Sequence, residues 1–82
     1  MKEILLKKYQ LDRMSQRGIT KSDIKKVLEA LDGVIEVPGL PYGRRRWMEV
    51  NGKTVEVAYV ETDISFDVRS VWVKEKPNAY RI

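Results

Sequence analysis

Arg44-Arg45-Arg46-Trp47-Met48-Glu49-Val50, then Asn51-Gly52, then Lys53-Thr54-Val55-Glu56-Val57-Ala58-Tyr59-Val60, reads as a β-hairpin. A type I′ turn needs positive φ at both central residues, and Asn-Gly meets that need at the least cost. The two-residue loop also sets the register. Val50 falls opposite Lys53, Met48 opposite Val55, Arg46 opposite Val57 and Arg44 opposite Tyr59, all on one face of the ribbon. Side chains alternate along a strand, so the other face carries Arg45, Trp47 and Glu49 with Thr54, Glu56, Ala58 and Val60. The first face is expected to meet a core. The second, which mixes Arg, Trp and Glu, is expected to meet water or a ligand.

Upstream of the hairpin the pattern turns helical. Thr20-Lys21-Ser22-Asp23 opens a helix as a capping box, with Thr20 accepting from the Asp23 amide and Asp23 reaching back. Ile24, Val27, Leu28 and Leu31 then share one expected buried face, and Gly33 is the expected stop. Gly18 suits the left-handed cap of a preceding helix, with Ile19 making the hydrophobic contact that accompanies such a cap. That first helix is read as about Glu3 to Arg17, although Ile4, Leu5 and Leu6 equally suit a short strand over Glu3 to Lys7, with the helix beginning near Lys8.

Val34 to Val37 is a β-branched run ended by Pro38-Gly39, which suits an edge strand. Phe66 to Lys74 supplies a last strand, with Arg69, Val71 and Val73 expected on one face and Phe66, Val68, Ser70, Trp72 and Lys74 on the other. The sum is an α+β fold: an N-terminal two-helix hairpin packed on one face of a four-stranded antiparallel sheet, the other face open.

The chain has 82 residues, which suits a single domain over residues 1–82 with a radius of gyration of roughly 12 Å. It contains no cysteine and no histidine, so disulfides, thiolate nucleophiles, Cys-type zinc sites and histidine bases are excluded. Any catalysis must use Tyr, Lys, Arg or carboxylates. The carboxylates are scattered without ligand spacing, so neither a metal nor another cofactor is expected. The net charge of +4 is compatible with an anionic partner. No apolar run is long enough to cross a bilayer and the start lacks the features of a secretory signal, so a cytoplasmic location is expected.

Residues Tyr9 to Leu28 carry Arg13-Met14-x-x-Arg17-Gly18-Ile19-Thr20. This resembles a family of small bacterial and archaeal domains of unknown function, whose hallmark is His-x-x-x-Arg-Met-x-x-Arg-Gly-Ile-Ser/Thr followed by a helix. Tyr9 stands where that family has its histidine. The family looks like part of the RelE/ParE toxin superfamily, with a helical hairpin on an antiparallel sheet. RelE-like toxins cut messenger RNA without metal, using basic residues on the sheet and often a tyrosine near the C-terminus. The resemblance therefore implies RNA or the ribosome as target and a small acidic antitoxin-like protein as partner, and it draws attention to Tyr80 and Arg81.

Metal-free RNA cleavage needs a base for the 2′-hydroxyl, cations for the charge on phosphorus and an acid for the leaving oxygen. Glu56 lies across from Trp47, with Arg45 nearby. The expected assignment is Glu56 as base, Arg45 and Lys74 on phosphate, Trp47 and Trp72 stacking bases, and Tyr80 as acid. Arg44, Arg46 and Arg81 are further expected phosphate contacts, Arg44 and Arg46 from the rim of the sheet. The alternatives are structural or of another class. Arg44 and Arg46 pair with helix carboxylates, while Arg13 and Arg17, four apart on one helix face, are read as serving the fold, Arg13 by pairing with Glu or Asp on the sheet. Trp47 and Trp72 form a partner or homodimer interface in a noncatalytic module. A DNA-reading helix-turn-helix fits less well, because the second helix exposes mainly Lys21, Lys25 and Lys26 and no Arg, Asn or Gln suited to base edges.

Overall fold

Asn51 and Gly52 both take positive φ, at 52° and 81°, and join two antiparallel strands in the expected register. In this computed structural model, which describes residues 2–39 and 43–75, the chain runs β1 (Glu3–Leu5), α1 (Lys8–Arg17), α2 (Lys21–Glu29), β2 (Val34–Pro38), β3 (Arg44–Val50), β4 (Lys53–Glu61) and β5 (Ser65–Glu75). Two sequence readings, those on Tyr80 and Arg81, lie outside the described residues.

The sheet corrects the expected four-stranded antiparallel architecture. Among the described residues it has five strands in the order β1-β5-β4-β3-β2, and it is mixed because β1 runs parallel to β5, pairing Glu3 with Ser65, Ile4 with Phe66 and Leu5 with Asp67. The helix read as starting near Glu3 instead starts at Lys8, as the alternative reading had it. Ile4 and Leu6 pack against the core cluster from this short extended segment. A partner strand some sixty positions away leaves no local trace in the sequence.

Gly18, at φ 71°, closes α1 in the left-handed conformation, while the Ile19 amide donates to the Met14 carbonyl at 2.9 Å and the Ile19 side chain is buried. The capping box that opens α2 forms in both directions: Asp23 N–H donates to Thr20 Oγ1 at 3.1 Å and Thr20 N–H to Asp23 Oδ2 at 3.0 Å. The end of α2 departs from expectation. It stops at Glu29, before Gly33, and Leu31 is 93% exposed and not on the buried face. Arg46 from β3 explains the early stop, because its Nη1 donates to the Val27 and Leu28 carbonyls and satisfies the last turn from outside. Lys53 treats α1 similarly, donating from Nζ to the Arg17 carbonyl at 3.2 Å.

The expected faces of β5 also require correction. Ala58 pairs with Ser70 but Tyr59 pairs with Val68, so Arg69 is an extra residue in β5. Such a bulge breaks strict alternation. Phe66 and Val68 therefore lie on the helix-covered face together with Val71 and Val73, while Ser70 and Trp72 stay on the open face. Ile24 and Val27 of α2 meet Val55, Val57 and Val68 in the center of the core.

Gln10, only 2% exposed, seats α1 on the sheet. Its Nε2 donates to the Val68 carbonyl at 2.7 Å, and its Oε1 accepts from the Lys7 amide at 2.7 Å. One side chain thus satisfies an orphan donor at the start of α1 and a carbonyl of β5 next to the bulge.

Candidate functional site

Pairing across the sheet lines up Ile35, Trp47, Glu56 and Trp72 on β2, β3, β4 and β5, in one row of the face turned away from the helices. A second row, Val37, Arg45, Ala58 and Ser70, runs beside it. Adjacent strands lie about 4.8 Å apart, so Trp47 and Trp72 flank Glu56 at a mutual separation of about 10 Å.

Glu56 is held and partly screened, its side chain only 12% exposed. Arg45 Nη1 stands 3.3 Å from Glu56 Oε2, and the same guanidinium lies 6.0 Å from the centre of the Trp47 ring. Trp72 is 49% exposed, and Arg17 of α1 places its guanidinium 4.7 Å from the centre of that ring. Arg17 also donates from Nη1 to the Val71 carbonyl at 3.4 Å.

The helix comes to the site because β1 covers only residues 65–67 of β5. Beyond that point α1 runs beside β5, and Tyr9, Arg13 and Arg17, spaced four apart, form one stripe of the helix. Arg13, Arg45, Glu56, Ser70, Val71 and Trp72 enclose a concavity of about 250 Å³. Arg13 and Arg45 thus line one concavity with the Glu56 carboxylate, and Arg17 stands on the Trp72 ring beside it. Of the two residues read as serving the fold, Arg17 does bond to β5 at the Val71 carbonyl, whereas Arg13 has no ion pair among the described residues. Their four-residue spacing was visible, but not the fact that the stripe borders the open face.

Arg44 and Arg46 lie elsewhere. Both bond to Glu36 on the helix side, Arg44 Nη1 at 3.2 Å and Arg46 Nε at 2.7 Å, and Tyr59 donates its hydroxyl to the same carboxylate at 3.0 Å. The Arg46 hydrogen bond holds the Glu36 carboxyl below its ordinary range, with burial opposing and the Tyr59 bond and the two arginine charges assisting. Burial first, then the bond to Glu36 and its charge, pushes the Tyr59 hydroxyl up to about 12. This cluster is a fold element, but the carboxylate that these arginines share lies on β2 and not on a helix, as the structural alternative had it.

Lys74 stands opposite Thr54, two positions beyond Trp72 on β5. Tyr9, at the position of the family histidine, is exposed one turn before Arg13 and lines a separate concavity of about 360 Å³ with Lys7, Gln10 and Asp67. Another concavity, at the far end of the strands, is lined by Lys2, Arg44, Glu61 and Asp63, but Lys2 pairs with Glu61 and Arg44 with Glu36.

Among the described residues no group of three or more carboxylates is placed to hold a metal ion, and no helix is long and apolar enough to cross a membrane. No family model, no curated protein and no solved structure matches this chain, so its function has to be argued from the open face itself.

Proposed function

We propose that the open sheet face engages single-stranded RNA and that the protein is a RelE-like toxin-type domain, a metal-independent endoribonuclease of the cytoplasm. One observation carries the reading: the Glu56 carboxylate lies between two tryptophans and against Arg45 on the face free of helices. Stacking of unpaired bases on aromatic rings, with arginines on the backbone, is a common way to hold single-stranded RNA.

In the reaction, Glu56 takes the proton of a 2′-hydroxyl and the freed oxygen attacks the adjacent phosphorus. The bond from phosphorus to the 5′-oxygen breaks, leaving a 2′,3′-cyclic phosphate, and an acid returns a proton to the departing oxygen. The resemblance to RelE-like toxins assigns that acid to Tyr80. An incoming phosphate competes with Glu56 for Arg45, so substrate binding frees the base as it fixes the charge. A small acidic protein suits the arginine-rich face as a neutralising partner.

A second reading is favoured by the same ion pair. With Arg45 on Glu56, the carboxylate is occupied, and the face serves as a noncatalytic binding module. Labelled single-stranded RNA and translating ribosomes, incubated with the protein in EDTA beside Glu56→Gln and Arg45→Ala, decide between the two. Cleavage abolished in both variants supports the endoribonuclease. Binding without cleavage leaves the module, and neither binding nor cleavage removes RNA as the partner.

A further inference from the structure

We propose that Arg13 on α1 holds a phosphodiester of the bound strand in the concavity beside Trp72, so that the helix and not the sheet alone carries the RNA. This rests on the RNA reading of the open face and adds a contact point to it. Within the concavity, Arg45 already has Glu56 as its partner. Arg17, beside it, has Trp72 and the Val71 carbonyl. Arg13 is exposed and, among the described residues, makes no ion pair or hydrogen bond, although it lines the same concavity as Glu56. It is the cation there with its donors unspent, and a guanidinium can present two parallel N–H groups to phosphate oxygens.

The neighbours suit one nucleotide unit. Arg17 fixes the Trp72 indole from one side, and the ring remains half-exposed to accept a base. Ser70 adds a hydroxyl at the wall, and its row neighbour Ala58 is small enough to leave room above the sheet. At about 250 Å³ the space falls below the roughly 300–1,000 Å³ of pockets that enclose a drug-sized ligand. A phosphate with its sugar is therefore a better fit than a larger rigid ligand.

The test is fluorescence anisotropy of a short labelled 2′-O-methyl oligouridylate, which lacks the attacking hydroxyl, over a series of salt concentrations. It compares the unaltered protein with Arg13→Ala, Arg13→Lys, Trp47→Ala and Lys25→Ala, the last removing an exposed charge on α2. Loss of one phosphate contact on a single strand lowers the slope of log affinity against log salt by about 0.7. Arg13→Ala is expected to show that fall and about tenfold weaker binding at low salt. Arg13→Lys should keep the slope, and Lys25→Ala should change neither quantity. Since Arg13 has no ion pair or hydrogen bond among the described residues, the thermal midpoint of Arg13→Ala should match that of the unaltered protein. If Arg13→Ala binds normally while Trp47→Ala does not, the helix contact is overturned and the RNA reading stands. An equal loss in Lys25→Ala overturns it too, by reducing the effect to net charge. If the unaltered protein binds no RNA, both fall together.

Discussion

Arg46 donates to the Leu28 carbonyl at 2.6 Å, so a strand residue closes the last turn of α2. The same side chain bonds to Val27 and Glu36 and is only 16% exposed, which makes it the link between helix, edge strand and hairpin. Arg46→Met keeps the stem and removes every donor. It should cost about 1.5–3 kcal/mol, the range for hydrogen bonds involving a charged group. Urea denaturation measures the loss, and an unchanged midpoint would show that α2 needs no cap from β3.

Gln10→Leu should lower stability by about 2 kcal/mol, because it strands a buried carbonyl at Val68 and the Lys7 amide at once. Hydrogen exchange at the Lys7 and Leu11 amides should speed up, reporting a loosened start of α1. If exchange there stays as slow as in the unaltered protein, the seat of α1 is apolar packing alone.

The cluster around Glu36 predicts pH dependence at both extremes. Its folded pKa lies below the unfolded value, so the stabilisation is present above the unfolded pKa and is lost as pH falls through the folded one. Tyr59 has the opposite sense. Its folded pKa of about 12 exceeds the ordinary 10, so the folded state keeps a proton that the unfolded chain releases, and stability falls between pH 10 and 12. Denaturation midpoints of Glu36→Gln should be flatter than those of the parent on the acid side. Those of Tyr59→Phe should be flatter on the alkaline side, and parallel curves would remove the linkage.

Arg17→Ala should release the Trp72 ring. In a Trp47→Phe background, acrylamide, an uncharged quencher, should quench the remaining indole more strongly once Arg17 is absent, with a stability loss of about 0.5–1 kcal/mol for an exposed cation–π contact. Equal quenching would mean that the 4.7 Å stack does not shield the ring.

The hairpin was legible because Asn51-Gly52 sets turn type and register together, and the row Trp47–Glu56 followed directly from it. Capping was legible at Gly18 and at Thr20 with Asp23, but not at Lys7, whose amide bonds to Gln10 three positions on. What else escaped depends on contacts between distant segments. Arg46 ends α2 from eighteen positions away, and Gln10 reaches fifty-eight positions to β5. The bulge at Arg69 turns Phe66 and Val68 to the other face without any glycine to mark it. Likewise, the stripe Tyr9, Arg13, Arg17 showed its spacing but not its neighbour, since where a helix docks is settled by the sheet.

The pairing of β1 with β5 bears on the order in which the fold assembles. Glu3–Leu5 leaves the ribosome long before Ser65–Asp67, the segment it pairs with, exists. Long-range parallel pairing is slow to close even in a full-length chain. During synthesis the hairpin and α2 can assemble while β1 waits for its partner, so β1 is expected to be among the last elements of the sheet to reach its place.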